Sequence, residues 1–117
     1  MTDSATNTDE VLLVMLRRSD ALHEAIVGRL EKCAFDGSPR GEAVFGMCSV
    51  SLEHAEGLRV LIKSECLSSA MGLTRLQFEA LTRAMWLLYV APPTAIAKLT
   101  APPNVEERAC REEPSVG

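Results

Sequence analysis

The chain of 117 residues is long enough for one domain with a hydrophobic core and too short for two. Apolar residues make up 47% of it, which excludes a natively disordered chain. A net charge of −4, with no Lys/Arg cluster beyond Arg17–Arg18, argues against a dedicated nucleic-acid binder.

The first segment, residues 1–8, is polar and expected to be disordered, and it has no basic-then-apolar pattern of a secretory signal. Aromatic residues are few, so the apolar content is mainly Leu, Ala, Val and Met, side chains that lose little rotamer freedom in a helix. A first helix is predicted over residues 9–33, with Thr8 as N-cap and Asp9 and Glu10 at the positive end of the helix dipole. Leu12, Leu16, Ser19, His23, Ile26, Leu30 and Cys33 share one side at three- and four-residue steps, while Arg17, Asp20 and Glu24 lie off it. The stretch FDGSPRG ends this helix through Gly37, Pro39 and Gly41.

A second helix is predicted over 41–65, with Val44, Met47, Ser51, His54, Leu58, Leu61 and Glu65 inward and Glu53, Glu56, Arg59 and Lys63 outward. The third, over 69–91, is capped by Ser68 or Ser69 and stopped by Pro92–Pro93. Residues 92–117 read as a proline-interrupted, partly disordered tail, with a turn or two of helix in TAIAKL and a capping box of Asn104 and Glu107. The expected fold is therefore all-α, an antiparallel three-helix bundle over residues 9–91. Levelling the helices about their turns brings Gly28 opposite Gly46 and sets His23, His54 and Glu79 at one height.

The third helix poses the functional question. Arg75, Glu79 and Arg83 interrupt an apolar stretch at intervals of four, with Trp86 closing the row. The row is either a solvated edge or a buried Arg–Glu–Arg contact with another chain. Around it the helix is apolar nearly all round, and such a helix must be covered nearly all round. Two neighbouring helices are too few. A second copy or a helical protein partner is the expected cover, with Arg75, Glu79, Arg83 and Trp86 at the contact.

Chemical candidates are sparse. His23, His54 and Glu79 would supply two imidazoles and a carboxylate for a metal or for acid–base work, although a satisfied polar cluster inside the bundle is the preferred reading. No cofactor is expected. Arg18 and His23 match the R-x4-H spacing that carries catalysis in HEPN-type ribonucleases; with His54 they are weak catalytic candidates, the row Arg75–Glu79–Arg83 being the other arrangement such an activity would use. A spacing this short recurs by chance in a chain with nine arginines, so no catalytic residue is assigned. The cysteines at 33, 48, 66 and 110 form no C-x-x-C pair and read as reduced core residues. With no apolar run long enough for a bilayer, the chain is expected to be cytoplasmic.

The stretch HAEGLRVLIKSECLSSAMGLTRLQFEALTRAMWLLYVA resembles a family of uncharacterised, mainly proteobacterial helical-bundle proteins. In that family a helix of the form R-x-x-F/Y-E-A-x-x-R-x-x-W-L follows a small-residue turn, matched here by Arg75, Phe78, Glu79, Ala80, Arg83, Trp86 and Leu87. The likeness covers residues 9–91. It implies a longer bundle, so that this chain looks shortened at its C-terminus, and it carries no activity. The resulting expectation is a non-catalytic interaction module that self-associates through the third helix. The alternative is a HEPN-like ribonuclease or toxin-type component of a bacterial defence or toxin–antitoxin system.

Overall fold

A computed structural model describes residues 2–34 and 36–102. Four helices follow one another: α1 (Thr2–Leu30), α2 (Pro39–Lys63), α3 (Leu67–Tyr89) and α4 (Pro93–Thr100). No strand occurs among the described residues, and the all-α class stands. Residues 2–8, expected to be disordered, are instead the first turns of α1. The Thr8 hydroxyl donates to the Ser4 carbonyl at 3.0 Å, a bond made within a helix and not at its cap.

The α1–α2 turn is built from local polar bonds. Gly37 adopts the left-handed conformation, φ +70°. Ser38 is the N-cap of α2, its Oγ accepting from the Gly41 amide at 3.1 Å and donating to Asp36 Oδ1 at 2.8 Å. Pro39 takes the first helical position, where its missing N–H costs nothing. At the other end Glu65 is left-handed at φ 60°, with Glu65 N–H bonded to the Ile62 carbonyl and Cys66 N–H to the Leu61 carbonyl. That pair of bonds is a Schellman stop, and α2 ends at Lys63, not at Glu65. The serines expected to cap α3 lie inside it; Cys66 takes the cap position without a side-chain bond.

α2 and α3 form the packed centre. They run antiparallel, since Ser51 Oγ approaches the Gln77 carbonyl (3.5 Å) while Arg40 reaches Leu87 and Ala91. A β-carbon on Gly57 would lie 3.0 Å from Leu73 Cδ1, so the Leu73 side chain packs against α2 at this glycine. The expected approach of Gly28 to Gly46 does not occur: neither has an atom within 4 Å of such a carbon. α4 turns back at Pro92–Pro93 and buries Ile96 against Leu87 and Ala91, with Ala43, Val44 and Met47 of α2 beside them. The tail thus contributes a fourth helix, while the capping box at 104–107 lies outside the described residues.

α1 departs most from a bundle. Only Leu16 of its apolar residues is buried, whereas Leu12 and Ile26 of the predicted inward side are exposed. Its pairs with α2 are Asp20 with Arg59 and Lys63, and His23 with Glu56, so the two helices run antiparallel and the part before Leu16 runs past the end of α2. The molecule is correspondingly open. Its radius of gyration is 20.1 Å, against about 13 Å for a compact domain of this length.

Candidate interaction surface

Two stripes on α3 define the surface. Ala70, Leu73, Gln77, Ala80, Ala84, Leu87 and, just past the helix end, Ala91 repeat at alternating steps of three and four, and all are buried or half-buried. This inner stripe faces α2, where its Leu73 side chain packs at Gly57. The residue that follows each inner one, from Ala70 on, belongs to a second stripe with the same spacing: Met71, Thr74, Phe78, Leu81, Met85 and Leu88, preceded by Leu67. One residue further along means about 100° around the helix. Every member of this outer stripe is exposed, Met71 by 75% and Phe78 by 69%. A heptad repeat with large apolar side chains is the pattern by which one helix takes another.

The charged row lies on a third side. Arg75 is 82% exposed and its Nε lies 3.1 Å from Glu79 Oε1. In the single chain the row is an exposed edge with one ion pair, a contribution of about 0.3–0.5 kcal/mol. Arg83 is exposed, and with Trp86 it lines a groove of about 650 Å³ whose other walls are Glu42, Ala43, Gly46 and Met47 of α2 and Leu99 and Thr100 of α4.

Sequence reasoning missed two arginines. Arg59, expected to face outward, is 4% exposed. Its guanidinium Nε lies 2.8 Å from Asp20 Oδ1 without its N–H being aimed at that oxygen, Nη1 donates to Ser19 Oγ at 3.3 Å, and Nη2 bonds Glu56. Lys63 adds a contact to Asp20 at 3.3 Å. Two carboxylates and two cations therefore balance across the α1–α2 contact, which explains how a buried guanidinium is held there. Arg40 is the second. Its Nη1 and Nη2 donate to the carbonyls of Leu87 (2.5 Å) and Ala91 (2.7 Å), left free because the Ala91 N–H bonds to Trp86 and the Ala95 N–H to Pro92. A cation at a helix C-terminus also suits the dipole. Only its place near the end of α3 could have suggested the role, and no spacing marks it.

The chemical candidates do not converge. His23 Nε2 lies 3.7 Å from Glu56 Oε2, and its Nδ1 is buried with no partner among the described residues. His54 is half-buried in α2 and Glu79 pairs with Arg75. Among the described residues no three of His, Cys, Asp and Glu come together to hold a metal ion, so the levelled trio of His23, His54 and Glu79 is not assembled. The levelling erred because α1 meets α2 about one turn further along than a tight bundle would place it. Arg18 is exposed and stands about 140° around α1 from His23, so the R-x4-H pair does not face one reacting group. Cys33 and Cys66 are exposed and Cys48 half-buried, a correction to their reading as core residues; Cys110 lies outside the described residues. Among the described residues no helix is long and apolar enough to cross a membrane.

A family model described as "Family of unknown function (DUF6988)" matches residues 48–117, more than half of the sequence, and the chain belongs to that family. The match takes in the second half of α2, all of α3 and α4. No curated protein and no solved structure matches the chain.

Proposed function

We propose that this protein is a non-catalytic helical interaction module of the bacterial cytoplasm that self-associates through α3. The observation that carries the reading is the outer stripe: a heptad-spaced row of Leu, Met and Phe, interrupted only at Thr74 and exposed along the full length of the best-packed helix. Left in water, a row of that length favours aggregation; covered by a helix, it becomes a core. The exposed run Val11–Met15 on α1 gives further apolar surface of the same kind.

Sedimentation velocity across micromolar concentrations tests the reading. A concentration-dependent dimer is expected, and Leu81→Glu, at the middle of the exposed stripe, converts it to monomer while leaving helical circular dichroism unchanged. A wild-type chain that stays monomeric at a hundred micromolar overturns the reading. RNA cleavage that disappears with His23→Ala would replace it by the HEPN-like alternative.

A further inference from the structure

We infer that the second copy lies antiparallel, α3 against α3, about a two-fold axis that crosses the helix between Glu79 and Ala80. The inference rests on the self-association proposed above and adds the occupant's orientation and register.

Three observations point to it. The first is that the outer stripe is self-complementary about that axis. Reversing α3 there sets Phe78 against Leu81 of the second copy, Thr74 against Met85, and Met71 against Leu88, each layer occurring twice. Antiparallel coiled helices pack in this way, first-type core positions meeting second-type ones. Layers of unequal size interdigitate, whereas a parallel, in-register pair would stack Phe78 on Phe78 and Thr74 on Thr74. The Thr74 hydroxyl already donates to the Ala70 carbonyl at 3.0 Å, so opposite Met85 it turns a satisfied oxygen and a methyl group to the seam.

The second observation is area. The six apolar residues of the stripe are exposed by 46–75%. At roughly 200 Å² for a large side chain they present roughly 700 Å² per copy, and Tyr89 on the flank adds roughly 150 Å². A specific interface of standard size takes roughly 800 Å² from each partner, and the stripe together with Tyr89 reaches that size.

The third is charge. On the open flank of the stripe the residues are Arg75, Thr82 and Tyr89. About the proposed axis the two copies of Arg75 stand nine residues apart, about 13 Å along the seam, and each faces the neighbourhood of Thr82. No like charges meet. The opposed helix dipoles add a favourable term that a parallel pair would lack.

A charge-swap series on the full chain tests the register. Met71→Lys and Leu88→Glu are each expected to raise the dimer dissociation constant at least tenfold in sedimentation equilibrium. The double variant M71K/L88E, in which each lysine faces a glutamate across the seam, is expected to return to within about threefold of wild type. Within one chain the two sites are about 26 Å apart, so only an intermolecular contact can restore binding. Both residues are exposed, and circular dichroism of each single variant checks that the helices persist. A double variant as weak as the singles, with wild type still dimeric, overturns the antiparallel register while leaving self-association in place. Singles that leave the dimer untouched overturn the use of this stripe. A monomeric wild type overturns both this inference and the function on which it rests.

Discussion

Asp36 is one residue whose role is wholly local. Its Oδ1 accepts from the backbone N–H of Ser38 at 3.0 Å and from the Ser38 hydroxyl at 2.8 Å, and these bonds hold its carboxyl below the ordinary value of 3.8. Because the folded value is depressed, the stabilisation is present at neutral pH and is lost as pH falls through that lowered value. A carboxyl-resolved NMR titration should place the Asp36 midpoint below 3.8. A β-carbon on Gly41 would sit 2.9 Å from the same oxygen, so Gly41→Ala should displace the carboxylate and bring its midpoint back toward the ordinary value. Glu65 shows the opposite case, a side chain in a place that favours glycine. It holds the left-handed position of the Schellman stop. Glu65→Gly should raise unfolding stability by about 1 kcal/mol in a urea titration, the conformational penalty of a β-carbon there being removed.

Among the elements, α3 and α1 are anchored by different chemistry. Arg40→Met removes both donors from the end of α3 and leaves the Leu87 and Ala91 carbonyls without them. The expected loss is about 2 kcal/mol by urea denaturation, with hydrogen exchange rising first in α4. Arg59→Met acts elsewhere. It leaves Asp20 and Glu56 without their shared cation, so α1 amides should lose exchange protection while the α2–α3 pair keeps its own. Much of this scale was legible beforehand. The breaks at Gly37–Pro39 and Pro92–Pro93, the inward side of α2 from Val44 to Leu61, and an all-helical chain follow from propensity and periodicity. The roles of Arg40 and Arg59 were not, because a guanidinium that bonds two carbonyls or bridges two helices leaves no periodic trace. The two stripes of α3 were visible only as a helix apolar nearly all round. What separates them is side-chain size: alanine dominates the stripe that meets α2, and Leu, Met and Phe dominate the one that meets water.

For the whole molecule, openness and association are one question. A chain whose radius of gyration is 20.1 Å has few side chains enclosed on every side, and among the described residues no large one is less than 2% exposed. Its folding should therefore depend on a second copy. Thermal unfolding is expected to shift upward with protein concentration, each tenfold increase adding about 1.4 kcal/mol per dimer. Unfolding that is independent of concentration while the chain remains fully folded would count against that dependence. The level of one helix against the next, on which the histidine cluster relied, was not legible, since it depends on how far α1 leans away from α2.

Because Met71, Leu81 and Met85 of one stripe each sit immediately after an alanine of the other, α3 carries a reading frame. Deleting a single residue near Gln77 would turn the helix beyond it by about 100°, pressing Leu81, Met85 and Leu88 into the seats now held by Ala80, Ala84 and Leu87. Two of those seats are held by buried alanines, so larger side chains there would press on α2. Length changes in this helix are therefore tolerable only in steps of seven, which keep small residues against the chain's own neighbour and large ones toward the visitor.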